Sequence, residues 1–286
     1  MKKSCLFIAA ALVALAASCT KENERITPMA TGETGEMTLR FTPYDIKPGA
    51  KSSGIANFCS RLDVYLVDTV EHDTIPLHQT STEANFGTVS AVLKTTKTYK
   101  LLAIAHGFSD TIELHNGIFE LPTEKVKQTM VAVTEFTPAD SLVLNVAMQR
   151  IVGMFKMKIT DPDSCMGQTA QMHFTVDSGS WRWHEDWHGV GKVTREVLVT
   201  GMSRGSDGCV SFNVYTIPAN MEDITYINIT ATAEDAEGHA VETREFEAVP
   251  IKAGYVTTYT GTFFITFQMA MGFSVGDWSD LGTYTF

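Results

Sequence analysis

The chain has 286 residues, of which 44% are hydrophobic and 19% are charged. This composition supplies enough apolar side chains for sizeable cores and is not that of a disordered chain. The 33 Asp and Glu residues outnumber the 22 Lys and Arg residues, for a formal net charge of −11. Such an acidic chain repels phosphate backbones, so we expect no binding of nucleic acid. No apolar run of about 18 residues follows the N-terminus, which argues against a polytopic membrane protein.

The N-terminus has the pattern of a secretory leader. Two lysines precede an apolar run over residues 6–17, which is too short to span a bilayer comfortably and ends in small residues. The sequence LAASC at residues 15–19 resembles a bacterial lipobox, in which the cysteine is acylated and becomes the mature N-terminus. We therefore predict a signal peptide over residues 1–18 and a lipid such as palmitate on Cys19, which anchors the protein in the outer membrane. An ordinary signal peptide cut near Cys19 is the alternative.

The residues that follow Cys19 are polar and rich in Gly and Thr up to Glu36. They cannot bury a core, so residues 19–36 are predicted to form a flexible, lipidated tether. The lysine at position 21, with acidic residues after it, resembles the surface-export signal of lipoproteins in the Bacteroidota. We therefore expect the folded body to be exposed on the cell surface.

The rest of the chain has the pattern of short β-strands. Residues 61–67 alternate between two faces, and residues 99–105 form a near-continuous apolar run, which favours a central strand. No long amphipathic helix is evident, and residues 122–130 are the best candidate for a short one. Many short strands at roughly 8–12-residue spacing are typical of β-sandwiches. Because two sandwiches suit this length better than one, we predict an N-terminal β-sandwich over residues 37–148 and a C-terminal β-sandwich over residues 149–286.

Three cysteines remain once Cys5 leaves with the leader and Cys19 is acylated. They are Cys59, Cys165 and Cys209. Both a Cys165–Cys209 disulfide and three small buried thiols are compatible with the sequence. No CxxC pair occurs, so a zinc ribbon and a thioredoxin-type site have no support.

Four segments of the body carry a family resemblance. They are RLDVYLVDT at residues 61–69, TYKLLAIAHG at residues 98–107, LNVAMQRIVGMFKMKIT at residues 144–160 and IKAGYVTTYTG at residues 251–261. In order and approximate spacing they resemble the fimbrillin superfamily of Bacteroidales pilus proteins, which includes lipoprotein anchors and minor subunits. One departure is His106, which stands where the family pattern has Asn.

The resemblance implies an all-β protein with two tandem transthyretin-like β-sandwich domains. It also implies lipoprotein export and polymerisation by strand exchange, so that the partners are other pilus subunits and the location is a fimbrium at the outer membrane. Cleavage after a basic residue such as Arg25 or Arg40 would remove the first strand, and an anchor subunit would skip that cut. Stalk, anchor and tip positions all remain open.

A strand predicted near the C-terminus is the candidate for assembly. From residue 262 to residue 269 the chain alternates strictly, and one face carries the large apolar side chains Phe263, Ile265, Phe267 and Met269. Such a strand either completes its own sheet or adds to an open edge in a neighbouring subunit. The fimbrillin resemblance favours the second arrangement.

The sequence WRWHEDWH contains an HExxH motif at residues 184–188. On a helix, His184 and His188 would share a face and bind zinc, with Glu185 as the general base. Thr194 stands where the extended protease pattern needs a third ligand, and glycines on both sides leave too few residues for such a helix. We therefore expect no metal here and interpret the motif as part of a loop between strands.

The same stretch holds three tryptophans, Trp181, Trp183 and Trp187. Aromatic rings form platforms for sugars and dominate binding sites, which suggests a loop that contacts a host or bacterial surface ligand. The alternative function is therefore a surface glycan-binding lipoprotein. We favour the more ordinary interpretation, in which the three rings pack within the protein.

Catalytic patterns are otherwise missing from the sequence. It contains no GxSxG, no P-loop and no GxGxxG. We therefore expect no catalytic residues, no cofactor and no enzymatic activity. The preferred hypothesis is a structural or adhesive subunit of a cell-surface pilus.

Overall fold

The structure, a computed structural model, describes residues 34–44, 54–122, 126–139, 141–179, 182–190, 193–200, 203–264 and 279–285. Nearly all regular elements in these residues are strands, so the predicted all-β class is confirmed. A short helix, α1, covers Asp163–Met166, and a 3-10 turn covers Ile55–Asn57. The strands are β1 (Thr34–Pro43), β2 (Arg61–Asp68), β3 (Thr74–Thr80), β4 (Thr88–Lys94), β5 (Tyr99–His106), β6 (Leu114–His115), β7 (Ile118–Glu120), β8 (Thr129–Phe136), β9 (Leu142–Arg150), β10 (Gly153–Ile159), β11 (Gln171–Gly179), β12 (Arg182–His184), β13 (His188–Val190), β14 (Val193–Thr200), β15 (Val210–Thr216), β16 (Thr225–Glu234), β17 (Ala240–Ile251), β18 (Tyr255–Gly261) and β19 (Ser279–Thr285).

The first half of the chain forms two layers that share strand β9. The hydrogen-bonded order is β3-β2-β5-β8-β9-β1-β4. Strand β9 runs parallel to β1 over residues 142–148, and its last two residues, Gln149 and Arg150, pair with β8. β9 therefore passes from one layer into the other, and the layer β4-β1-β9 closes over the layer β3-β2-β5-β8.

The first core lies between these two layers. Strand β1 alternates between buried and more exposed residues, as expected for a strand with one face in a core. Met37 and Leu39 are fully buried, and Phe41 is 3% exposed. Burial of each such side chain contributes about 1.5–3 kcal/mol to stability. The facing layer contributes the buried residues Leu62, Val64, Leu66, Leu101, Ala103, Ala105, Met130 and Ala132.

The second half forms another pair of four-stranded sheets, with the orders β15-β10-β18-β19 and β14-β11-β16-β17. Strand β18 lies parallel to both β10 and β19, and the other neighbouring strands are antiparallel. Side chains from both sheets fill the second core. Its largest fully buried members are Phe155, Phe174 and Phe263.

A third core covers the outer face of the layer that contains β2, β5 and β8. Tyr65, Leu102, Ile104 and Val131 contribute to it from that layer. Because β5 is buried on both faces, its sequence lacks alternation, and its predicted central position is confirmed. A small sheet of order β13-β12-β7-β6 completes this core with strands from both halves of the chain.

The two halves are not separated into independent units. Gly32–Phe286 form one compact unit. The strands of the first-half sheets end at Arg150 and those of the second-half sheets begin at Gly153, whereas the small sheet and the third core use both halves. The domain boundary expected between residues 148 and 149 therefore stays a prediction. Among the described residues, no helix is long and apolar enough to cross a membrane.

Two local predictions are wrong. The helix expected over residues 122–130 is not seen in its described part, because β8 begins at Thr129 and buries Met130 in the first core. The strand expected over residues 256–269 ends early in its described part, because β18 ends at Gly261 and residues 262–264 lie outside the sheet. In both places tertiary contacts decide the backbone conformation.

Two cysteine side chains belong to the described part of the structure. Cys59 and Cys209 are free thiols, so the Cys165–Cys209 disulfide is not formed. Cys59 is 4% exposed, and its burial raises the pKa of the thiol to about 12, although the charge of Arg150 opposes this shift. A thiol with so high a pKa is unreactive at neutral pH, which fits the interpretation of Cys59 as a small core residue.

Candidate functional site

Strand β1 is held on both of its edges. Residues 34–40 pair with β4 in an antiparallel register, and residues 37–43 pair with β9 in a parallel register. Its inward side chains Met37, Leu39 and Phe41 are part of the first core. β1 is therefore a central strand, and its removal would open a groove between β4 and β9 that fits one extended strand.

The predicted cleavage position Arg40 lies inside β1. Its backbone stands opposite Thr88 of β4 and Asn145 of β9. A protease reaches this bond only after β1 has left the sheet, because hydrogen bonds hold the strand on both edges. The other predicted position, Arg25, lies outside the described residues, and a cut after it would leave β1 in place.

The chain leaves β18 through a polar clamp. Asp161 is fully buried, and its carboxylate accepts hydrogen bonds from the backbone N–H groups of Phe263 and Phe264, the second at 3.2 Å. The guanidinium of Arg244 donates from Nε and Nη2 to the carbonyl oxygen of Phe263 at 3.0 and 2.9 Å. Such charge-assisted hydrogen bonds are among the strongest that proteins form.

This clamp fixes one of the four predicted assembly residues inside its own chain. The ring of Phe263 is fully buried in the second core and meets the ring of Phe264 edge-on at 5.2 Å. Phe263 is therefore a core residue of this chain. Ile265, Phe267 and Met269 lie outside the described residues, and their role in assembly stays a prediction.

The last strand, β19, lies at the edge of a second-half sheet. It pairs with β18 in a parallel register, and Tyr284 stacks on Tyr259 with ring centroids 4.8 Å apart. Burial raises the pKa of Tyr259 to about 12, with a smaller contribution from Tyr284. Among the described strands, none pairs with the other edge of β19. An open edge of this kind is a place where a further strand can add.

The HExxH motif forms a β-hairpin and not a helix. Residues 182–184 of β12 pair with residues 188–190 of β13, and His184 stands directly opposite His188. The turn is closed by the N–H of Trp187, which donates to the carbonyl of His184 at 2.9 Å. Trp187 has a φ of +64°, the left-handed conformation that a three-residue hairpin loop requires at this position. The predicted loop between strands is thus a short, tight turn.

The tryptophans of this hairpin pack mainly within the protein. Trp183 is fully buried and stacks on Phe119 of β7, with ring centroids 5.9 Å apart and an interplanar angle of 17°. Trp187 is half-buried and meets Trp183 edge-on at 5.4 Å. Trp183 is therefore a core residue and not a platform for a sugar, and a ligand role for the rest of the loop stays a prediction. Trp181 lies outside the described residues.

A buried polar cluster that no sequence motif announces surrounds Asp63 on β2. This carboxylate is fully buried and lies 2.9 Å from His106 Nε2, 2.8 Å from His78 Nδ1 and 2.9 Å from Arg61 Nε. It also accepts the N–H of Ile112 at 2.9 Å. The available signals were a charged residue within the apolar strand β2 and a histidine at position 106, where the family pattern has Asn.

The cluster ties the loop after β5 to the sheet. Burial by itself raises the pKa of Asp63, but the hydrogen bonds from His106, His78 and the Ile112 N–H outweigh it, so that the pKa lies well below its usual range. Nδ1 of His106 accepts the N–H of Phe108, which places the ring proton on Nε2, facing Asp63. The hydrogen bonds to Asp63 therefore hold β3, β5 and the following loop against β2.

Comparisons with known proteins show which solved structures share this fold. No family model matches the chain, and neither does any curated protein. A candidate polysaccharide-binding protein from Bacteroides thetaiotaomicron has a TM-score of 0.51 at 11% identity, over 73% of this chain and 79% of that chain. A candidate adhesin from Bacteroides ovatus has a TM-score of 0.50 at 12% identity, over 74% of this chain and 77% of that chain.

This chain has the fold of these Bacteroides proteins. The fimbrial anchor protein Mfa2 from Porphyromonas gingivalis is also similar, with a TM-score of 0.43 at 11% identity, over 76% of this chain and 84% of that chain. At 11% and 12% identity, the likeness to the two Bacteroides proteins shows a shared fold.

Proposed function

We propose that this protein is a lipoprotein subunit of a cell-surface fimbria, with a structural or adhesive role. A lipid on Cys19 anchors it in the outer membrane, and other fimbrial subunits are its partners. The observation that carries the proposal is the central, doubly paired position of β1 in a fold shared with a candidate adhesin. A strand of this kind, near the N-terminus and directly after the tether, suits a subunit that assembles by strand exchange.

The anchor and the first strand are coupled through the tether. Residues 20–33 between Cys19 and β1 reach at most roughly 50 Å when extended. In a chain that keeps its lipid, β1 stays in the sheet. The groove between β4 and β9 is then filled by the chain's own first strand. Only a cut at Arg40 would interrupt β1, since a cut after Arg25 removes the lipid and leaves the strand.

The C-terminal segment is the proposed donor strand. Ile265, Phe267 and Met269 repeat at the same two-residue spacing as the inward residues of β1, which are Met37, Leu39 and Phe41. A strand with three large apolar side chains at this spacing fits the groove that β1 fills. The clamp formed by Asp161 and Arg244 holds Phe263 in the second core. The strand that is donated to a neighbouring subunit therefore begins after residue 264.

The alternative function, a glycan-binding lipoprotein that uses residues 181–187, has less support. Trp183 is buried and Trp187 packs against it, so at most a part of this loop faces solvent. The polysaccharide-binding description belongs to the neighbour from Bacteroides thetaiotaomicron. The proposal also includes no catalytic step and no cofactor, because the HExxH residues lie on a hairpin.

Metabolic labelling tests the anchor. Cells that express the chain are fed an alkyne-bearing palmitate, and wild-type protein is compared with Cys19→Ser. We expect label on the wild type alone and immunogold particles on intact cells that express it. Equal labelling of both proteins would disprove the lipid on Cys19.

A pair of neighbouring substitutions tests strand exchange. Phe267→Asp puts a charge on the apolar face of the proposed donor strand, whereas Gln268→Asp puts the same charge on its polar face. We expect Phe267→Asp to be lost from sheared fimbriae, and Gln268→Asp to be retained. Retention of both variants would overturn the donor assignment, and the purified monomers provide a check that each variant folds.

A further inference from the structure

The β12–β13 hairpin presents two imidazoles side by side on its outer face. His184 and His188 are direct cross-strand neighbours, and their rings lie 4.9 Å apart between centroids at an angle of 26°. The neighbouring residue Trp183 points the opposite way into the third core. The side chain of His184 is 24% exposed, and His188 is exposed. Facing positions on an antiparallel pair bring side chains within reach of one another.

The hairpin is held rigid from several directions. Strand β12 pairs with β7, and the Gly189 N–H donates to the carbonyl of Ala219 at 3.2 Å. Lys100 Nζ lies 2.9 Å from a carboxylate oxygen of Glu185 in the turn. A Cβ on Gly117 would come within 2.9 Å of Glu185, so the turn also fits closely against the β6–β7 turn. The two imidazoles are therefore presented in a fixed relationship.

We infer that His184 and His188 together bind one divalent late transition-metal ion, such as Cu²⁺ or Ni²⁺, at the cell surface. Imidazole nitrogens are preferred ligands of these ions, and Cu²⁺ binds most tightly among them. Two nitrogens on one ion lie about 3–4 Å apart, and the two rings must turn out of their near-parallel stack for both nitrogens to face the ion. This surface site on a hairpin departs from the sequence-based expectation of no metal at these residues, which rested on the missing helix and third ligand of a protease zinc centre.

A carboxylate supports one of the two imidazoles. Asp186 Oδ2 lies 3.3 Å from His184 Nδ1, on the opposite edge of the ring from Nε2. Histidines that bind metals usually donate their second ring N–H to a carboxylate in this manner. In the ion-free protein the Asp186 N–H donates to His184 Nδ1 at 3.1 Å, which keeps the ring proton on Nε2. An ion bound at Nε2 would displace that proton, and a proton on Nδ1 would then face Asp186 Oδ2. The nearby charge of Arg182 is balanced by Glu120, whose carboxylate oxygen lies 3.4 Å from Arg182 Nε.

A second cluster of ligand-type side chains serves as the matched control. Asp235, Glu237 and His239 lie together on the β16–β17 turn. The Asp235 carboxylate accepts the N–H groups of Glu237 and His239, at 3.0 and 2.8 Å, and Asp235 Oδ2 lies 3.2 Å from His239 Nδ1. Within this turn the Asp235 carboxylate is already engaged by two backbone N–H groups and by His239, so we expect no metal there.

Titration calorimetry with CuCl₂ tests the inference on the leaderless chain with Cys19→Ser and without a histidine tag. We expect His184→Asn and His188→Asn each to weaken the tightest site at least tenfold, because a single imidazole cannot chelate. His239→Asn should leave that site unchanged. Electron paramagnetic resonance of the wild-type complex should show two nitrogen ligands.

Three outcomes would overturn the inference. They are a loss of less than tenfold in either hairpin variant, an equal loss in His239→Asn, or a spectrum with a single nitrogen ligand. Both side chains lie on the outer face of the hairpin and outside the cores, so thermal unfolding without metal should be the same in all variants. If a hairpin variant fails this check, the spectrum of the wild-type protein still decides between one and two nitrogen ligands.

Discussion

Trp183 lies nearly parallel to Phe119, with the ring centroids 5.9 Å apart and 17° between the ring planes. Trp183 belongs to β12 in the second half of the chain, and Phe119 belongs to β7 in the first half. Both rings are fully buried in the third core. This stack therefore joins the two halves, and it does so through the residues that the sequence presents as a ligand loop.

Replacement of Trp183 tests this role. We expect Trp183→Ala to lower the free energy of unfolding by about 3–5 kcal/mol, because it removes a large buried ring and leaves a cavity. Tyr226→Ala, at a site that is 62% exposed, should change it by less than about 0.5 kcal/mol. Urea unfolding followed by circular dichroism measures both values. Similar effects of the two substitutions would contradict the assignment of Trp183 to the core.

Ala248 on β17 has a φ of +50°, a left-handed conformation that costs a non-glycine residue about 1–2 kcal/mol. Ala248→Gly relieves this cost and adds a smaller entropic penalty in the unfolded state. We therefore expect Ala248→Gly to raise the free energy of unfolding by roughly 0.5–1 kcal/mol. Ala147→Gly, in the regular strand β9, should lower it by a similar amount. Destabilisation by both changes would show that Ala248 is not strained.

Asp63 should make stability depend on acid pH. Its pKa is lower in the folded protein than in the unfolded chain, so its contribution is complete above the unfolded value of about 4 and is lost as the pH falls below it. We expect Asp63→Asn to cost about 3 kcal/mol at pH 7, because it breaks a buried network of charges. The pH dependence between about pH 4 and pH 2 should also become shallower.

Thermal or urea unfolding at several pH values measures this effect. Part of the acid sensitivity should remain in Asp63→Asn, because Lys97 and two backbone N–H groups hold the pKa of Asp68 at about 2. Asp110→Asn, at an exposed position, provides the control. A parallel pH profile for wild type and Asp63→Asn would refute the proposed role of the carboxylate.

Two truncations three residues apart separate the clamp from the donor segment. Truncation after Gly261 removes Phe263 and leaves the buried Asp161 without its backbone donors, so we expect a loss of about 3–5 kcal/mol relative to truncation after Phe264. Both proteins lack β19, so the difference reports the clamp alone. The chain that ends at Phe264 should fold and yet be missing from sheared fimbriae. Equal stability of the two truncated chains would disprove the clamp.

Much of the strand structure could be predicted from local pattern. The alternation of Met37, Leu39 and Phe41 identifies the buried face of β1, and the apolar run from Tyr99 identifies β5 as a strand buried on both sides. Strand β3 was missed, since Pro76 interrupts its pattern and it lies at the edge of its layer, with much of its surface exposed. The helix expected near Met130 failed because burial of that residue, and not helix propensity, sets the local conformation.

The sequence by itself therefore determined which faces of β1 and β5 are apolar, because the side chains of a strand alternate wherever it lies. Only the tertiary structure decided which strands become neighbours, since the parallel pairing of β1 with β9 joins residues far apart in the chain. The same holds for the third core, where Trp183 is buried only because β12 adds to β7. Asp63 likewise gains its partners from β3, β5 and the following loop, which no local pattern brings together.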